Sequence, residues 1–127
     1  MAKVFLDANY FIGLAHKTPD TVVSILDGQV AYISALSSHI LCYVNKVKLP
    51  NKKIQAFVED FLIVNLTDSI VQKAFDGPTI DMEDNIQLHS AVEADCDYFL
   101  TSDKKLLAMK FFGKAKIANT LPTNYSK

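Results

Sequence analysis

The chain has 127 residues, half of them hydrophobic, and a net charge of −1 at neutral pH. That length suits one domain, 1–127, and that apolar share can build a continuous core, which excludes a disordered chain. The near-neutral balance excludes a uniformly basic nucleic-acid binder, and no apolar run approaches the roughly 20 residues of a membrane span.

The opening residues Met1–Leu6 meet Asp7 at once, which leaves no apolar centre for a secretory signal; the expectation is a cytoplasmic protein. Cys42 and Cys96 lie far apart and match no CxxC or Cys/His ligand spacing, so they read as buried free thiols. Two cysteines cannot make a disulfide-dense scaffold. There is no Arg; lysines cluster at Lys46, Lys48, Lys52 and Lys53 and again at Lys104, Lys105, Lys110, Lys114 and Lys116. Each cluster reads either as a solvated face or as a phosphate-facing patch, which positions a backbone without reading bases.

Short apolar runs alternate with amphipathic segments. Lys3–Leu6 reads as a buried strand running straight into Asp7. Tyr10, Phe11, Leu14 and Ala15 suggest a short helix. Thr18-Pro19-Asp20 then sets an N-cap with Pro at the first helical position, and Gly28 stops that helix. Val30–Ile33 is the second strand. Ser34 caps the next helix, whose buried stripe is expected at Leu36, Ile40, Val44 and Val47. Pro50-Asn51 breaks it, and a shorter helix runs to Asp60. Phe61–Leu66 is the third strand. Thr67 caps a helix with a stripe of Ile70, Val71, Ala74 and Phe75, which Gly77-Pro78 ends. Asp81–Ala94 is a helix with an acidic start, and Tyr98–Leu100 is the fourth strand. Ser102 or Thr101 is expected to cap a helix through Leu107, and Lys116–Ala118 is a fifth strand. The alternation implies a three-layer α/β/α sandwich around a mainly parallel sheet of four to five strands.

In such sheets ligands bind beyond the carboxyl ends of the strands. Asp7 ends the first strand, and Asp103 follows the fourth after Thr101-Ser102. Asp84 starts the helix before the fourth strand and shares a face with Leu88, Ala91 and Val92. Carboxylates gathered in one cleft repel each other unless a cation is present. Hard oxygen donors suit Mg²⁺ or Mn²⁺, ions that assist phosphodiester hydrolysis. Singly, each residue has a plain duty as well: a strand-end turn for Asp7, helix-dipole complement for Asp84, Asp81 and Glu83, first-turn decoration for Asp103. Asn9 could orient Asp7 or cap a helix. Ser102 and Thr101 could offer hydroxyls to Asp7 or cap. His89 is a surface or core-edge residue rather than a ligand for Mg²⁺.

These residues resemble the PIN-domain family and its small VapC-type toxins. Val4-Phe5-Leu6-Asp7-Ala8-Asn9 is similar to the family's first strand, first acid and Asn. Asp81 through Ala91 is similar to the helix of its third acid, which Asp84 matches. Asp95 through Leu106 is similar to the strand and Thr-x-Asp that end in the last acid, Asp103. The resemblance covers about residues 3–118. It implies an α/β/α sandwich, a Mg²⁺/Mn²⁺ site at Asp7, Asp84 and Asp103, cleavage of single-stranded RNA, a homodimer and, for a toxin, an antitoxin partner. In that frame Glu83 is a fourth carboxylate, with Asn9 and Ser102 supporting. The family also places an acid, often Glu, on the helix after the second strand. Here that helix reads Ser34 through Tyr43, and between Asp27 and Glu59 there is no Asp or Glu. His39 lies near that place, and Glu83 or Asp81 are the carboxylates at hand to replace the charge. A catalytically weakened PIN-like module that binds RNA or a protein is therefore the alternative. A haloacid-dehalogenase-like phosphatase needs a second Asp where Asn9 stands, and no GxxxxGK[ST] or GxGxxG is present.

Overall fold

The computed structural model describes residues 1–122; positions 123–127 of the expected domain range lie outside the described residues. The chain folds as β1 (Lys3–Leu6), α1 (Ala8–Leu14), α2 (Pro19–Leu26), β2 (Val30–Ser34), α3 (Ala35–Val44), α4 (Lys52–Glu59) and β3 (Leu62–Val64). It continues with α5 (Asp68–Phe75), α6 (Met82–Glu93), β4 (Tyr98–Leu100), α7 (Lys104–Met109), β5 (Phe111–Phe112) and β6 (Ala115–Ala118). The described residues form a six-stranded sheet in the order β3-β2-β1-β4-β6-β5. Every pairing is parallel except β5 with β6.

The sheet is one strand wider than the expected four to five. The extra strand, Phe111-Phe112, is too short for any periodicity to reveal. It turns back onto β6 at Gly113, whose φ of +60° suits a residue without a Cβ.

Helices cover both faces, and side-chain alternation along the strands shows it. Val4 and Leu6 join one buried cluster with Phe11, Leu14, Leu26 and Leu41, from α1, α2 and α3. Phe5 points the other way, into a cluster with Ile70, Ala74, Leu88 and Leu106 from α5, α6 and α7. In β4, Leu100 joins the first cluster and Phe99 the second. Phe5 and Phe99 stack across the strand pair at 5.5 Å. The architecture is thus the expected three-layer α/β/α sandwich.

Local signals set most helix starts. Thr18 accepts from the Thr21 amide with Pro19 next, Asn51 accepts from Ile54, and Thr67 from Ile70. Packing phase departs from the expectation in three helices. In α3 the buried residues are Ser37 and Leu41, while Val44 is exposed. Its apolar residues nearly encircle the helix, so the partners decide: Leu41 enters the first core and Ser37 meets Gln87 of α6. In α5 only Ile70 and Ala74 are buried; Phe75 is left in solvent. In α6 Leu88 and Ala91 are buried as expected, but Val92 is exposed and lies beside Gly113. The helix after β4 is capped by neither Ser102 nor Thr101. Its N-cap is Asp103, whose Oδ1 accepts from the Lys105 amide at 2.8 Å.

Candidate functional site

Parallel pairing of β1 with β4 places Leu6 opposite Leu100, so Asp7 and Thr101 emerge side by side at the carboxyl rim. The Asp7 amide donates to the Leu100 carbonyl at 3.0 Å, which closes that rim. Asp7 is also the N-cap of α1. Its Oδ1 accepts from the Tyr10 amide at 2.8 Å, and its Oδ2 accepts from the Thr101 hydroxyl. The Thr101 Oγ1 in turn accepts from the Asp103 amide at 3.0 Å. A hydroxyl has one proton to give and lone pairs to receive. One buried oxygen therefore ties the first acid to the backbone of the last.

Asp84 arrives from α6. Its amide donates to Oδ1 of Asp81, the N-cap, at 2.9 Å. The loop ahead of α6 is held by Asn85, which is buried. Asn85 Oδ1 accepts from the Thr79 amide at 2.8 Å and the Thr79 hydroxyl at 2.7 Å, and its Nδ2 donates to the carbonyls of Ala74 and Thr79. All four hydrogen-bonding positions of that amide are used, which fixes the first turn of α6 against the end of α5.

The acids feel one another. Burial pushes the Asp7 carboxyl above its ordinary range, the bonds from Thr101 and Tyr10 pull it back in part, and Asp103 pushes it further up. Asp84 is raised to about 6, first by burial, then by Asp81, Asp103, Glu83 and Asp7. Glu83 is raised by burial, Asp81 and Asp7. Burial and Asp7 also raise the Tyr10 phenol. Burial does most of this, and the neighbouring negative charges add to it. Among the described residues, no group of three or more His, Cys, Asp or Glu side chains is gathered tightly enough to hold a metal ion as it stands. The aspartates are thus coupled through space without forming a closed coordination shell.

Among the described residues, Asn9, Ser102, His39 and His89 make none of the side-chain hydrogen bonds that hold these acids. Asn9 is exposed on the first turn of α1, and the cap it was a candidate for is Asp7. Ser102 is exposed, and its neighbour Thr101 makes the contact to Asp7. His39 is exposed on α3 and stacks on Tyr43. His89 is a core-edge residue, bonded to the Gly77 carbonyl at 2.9 Å and edge-on to Phe112. Asp81 enters the electrostatics as a neighbour of both Asp84 and Glu83. The signal for Thr101 was its place at the end of an apolar strand two residues before Asp103. Sequence alone does not choose between that hydroxyl and the one of Ser102.

No family model and no curated protein matches the sequence. Solved structures do match. VapC20 of Mycobacterium tuberculosis, described as a Sarcin-Ricin loop cleaving toxin, aligns with a TM-score of 0.61 at 11% identity, over 89% of this chain and 98% of that one. VapBC2 of Rickettsia felis, bound to a DNA fragment from its promoter, aligns at 0.65 and 14% identity, over 93% and 98%. DNA-bound VapBC of Salmonella typhimurium aligns at 0.62 and 14%, over 93% and 98%. The chain has the PIN-type fold of the VapC toxins. Within that fold the rim bearing Asp7, Asp84 and Asp103 lies at the carboxyl ends of β1 and β4, where parallel α/β sheets bind their ligands.

Proposed function

We propose that this PIN-fold chain is a metal-dependent endoribonuclease that hydrolyses phosphodiester bonds of single-stranded RNA, and that it acts as the toxin of a toxin–antitoxin pair. The observation that carries the reading is the buried Thr101 bridge between Asp7 and Asp103, with Asp84 electrostatically coupled to both. The fold shared with a Sarcin-Ricin loop cleaving toxin supports the choice of RNA. Structures of VapBC complexes among the matches support an antitoxin partner. An apolar groove of about 750 Å³, walled by Val22 and Leu26 of α2 and Ile54 and Phe57 of α4, suits an amphipathic partner segment. The reading includes a cytoplasmic location and a homodimer. No helix among the described residues is long and apolar enough to cross a membrane.

The donor set fits Mg²⁺ or Mn²⁺: Asp7, Asp84 and Asp103 offer hard carboxylate oxygens, and each charge raises the cost of the next until a cation offsets it. These three would hold the ion, with Glu83 beside them. When bound, the ion supplies charge neutralisation at the phosphodiester and a more acidic water. The chain's own part is to hold the acids ready. Thr101 and Tyr10 fix both oxygens of Asp7 and favour its ionised form against burial. Asp81 and Asn85 anchor the turn that presents Asp84. Lys104 and Lys105, exposed on the first turn of α7 next to Asp103, supply positive charge for the substrate backbone.

A second reading is a catalytically weakened module that binds RNA or a protein. It is favoured by the acid-free stretch between Asp27 and Glu59 and by the open arrangement of the acids. Cleavage of a single-stranded RNA panel with Mg²⁺ or Mn²⁺, comparing wild type with Asp7→Asn, separates the two. Cleavage that needs both the ion and Asp7 supports the nuclease; equal activity of the two proteins removes it.

A further inference from the structure

The longest acid-free stretch of the chain, from Asp27 to Glu59, contains α3, the following loop and most of α4. It carries Lys46, Lys48, Lys52 and Lys53, all exposed. Among the described residues the ion pairs are those of Lys114 with Asp95 and Asp97, so none of these four lysines is neutralised by one. A chain with a net charge of −1 thus keeps a local excess of positive charge on one segment. Within the same stretch, just ahead of these lysines, Tyr43 is 78% exposed, and His39, one turn earlier, is exposed with its ring 6.3 Å from that of Tyr43 and inclined by 30°.

The placement relative to the acids follows from the topology. Ser34 ends β2 and caps α3, and β2 runs parallel to β1. So α3 leaves the same rim that presents Asp7. At a rise of about 1.5 Å per residue, His39 and Tyr43 lie roughly 6 and 12 Å down that helix. The lysines follow beyond. Aromatic faces with positive charge along a line are the two parts of a single-strand platform: bases stack on the rings and phosphates meet the cations.

We propose that the outer face of α3, with His39 and Tyr43 followed by Lys46 and Lys48, is the docking track that leads single-stranded RNA to the acidic rim. This rests on the reading of the chain as acting on RNA and names the surface that holds the strand. A second copy of the chain is the weaker occupant. Two copies of a segment that carries uncompensated lysines repel each other on approach, whereas the phosphates of a strand are attracted to it.

The test is fluorescence anisotropy with a labelled single-stranded RNA oligonucleotide in EDTA, where binding is read without cleavage. Tyr43→Ala is expected to weaken binding about ten-fold, as loss of one stacked base would. Tyr43→Phe, which keeps the ring, is expected to bind like wild type. Lys46→Gln and Lys48→Gln are each expected to flatten the dependence of log Kd on log salt by about 0.7. Lys73→Gln, an exposed lysine on α5 outside the acid-free stretch, serves as the control. Wild-type binding unchanged by Tyr43→Ala, or no binding by wild type, overturns the track. So does a Tyr43→Ala protein that turns from dimer to monomer in sedimentation while keeping its RNA affinity. If Tyr43→Ala loses RNA but the wild type shows no Asp7-dependent cleavage, the track stands and the nuclease reading falls. If cleavage depends on Asp7 but RNA binding ignores Tyr43, the reverse holds.

Discussion

Replacing Thr101 by Val keeps the side-chain volume and removes one oxygen, and that oxygen serves two partners. Thr101 is fully buried; it donates to Asp7 and accepts from the Asp103 amide. Asp7 is itself only 7% exposed, so its Oδ2 cannot turn to bulk water for a replacement. A buried charged acceptor left without its donor costs about 2–3 kcal/mol, and the Asp103 amide, nearer solvent, adds about 0.5. The extra buried methyl returns about 0.8 kcal/mol. The expected net loss at pH 7 is therefore about 2 kcal/mol, or a fall of about 1 M in the urea midpoint. The loss should depend on pH in a stated sense. The Thr101 bond lowers the Asp7 pKa, so its removal lifts a folded-state pKa that is already raised. A raised carboxyl pKa favours the folded state at low pH and loses that advantage as pH rises through the folded value. The gap between wild type and Thr101→Val should thus be widest near neutrality and close as Asp7 protonates. Urea unfolding at several pH values decides it. A gap under about 0.5 kcal/mol at pH 7, or one that widens on acidification, would refute the bridge as a support of an ionised Asp7.

Divalent cation should raise the melting temperature of the wild type and leave Asp84→Asn little changed, while in EDTA the Asp84→Asn protein should be the more stable because repulsion at the rim is relieved. Mn²⁺ affinity, followed by calorimetry, should fall as pH drops through about 6, since protons then compete for Asp84. Asn85→Ala orphans the Ala74 and Thr79 carbonyls and the Thr79 amide, and denaturant unfolding should show a loss of about 2–3 kcal/mol. Asp97 accepts from the Lys3 amide at 2.9 Å, which, with Lys114, holds its carboxyl below the usual range. The stability it supplies is present above the unfolded carboxylate pKa and lost as pH falls through its folded value. Asp97→Asn should therefore flatten the acid limb of the stability curve, which thermal scans across that limb will show.

Strand and helix order was legible because local chemistry repeats along the chain. Thr18-Pro19, Asn51 and Thr67 cap helices by bonds that span three residues, and such bonds need no tertiary context. The apolar runs at Val4–Leu6 and Tyr98–Leu100 marked strands buried on both faces. From those two strand ends, Asp7 and Asp103 followed as neighbours on one rim. The phase of α3 and α5 was not legible, because apolar residues lie on more than one side of each helix. Leu41 and Ala74 are buried, and Val44 and Phe75 are not, only because of what packs against them. Two-residue β5 carries no pattern of its own and exists as a strand through its pairing with β6.

The sequence by itself determined the layered α/β/α plan and the placement of Asp7 and Asp103 past adjoining strand ends, since periodicity, caps and strand ends are local properties. Tertiary structure alone decided that Thr101, and not Ser102, holds Asp7, and that Asp103 caps α7 while leaving its amide to the same hydroxyl. It also decided that His39 faces solvent beside Tyr43. The reason is physical: which of two adjacent hydroxyls is buried, and which side of an apolar helix meets water, depends on partners from 50 to 94 residues away along the chain.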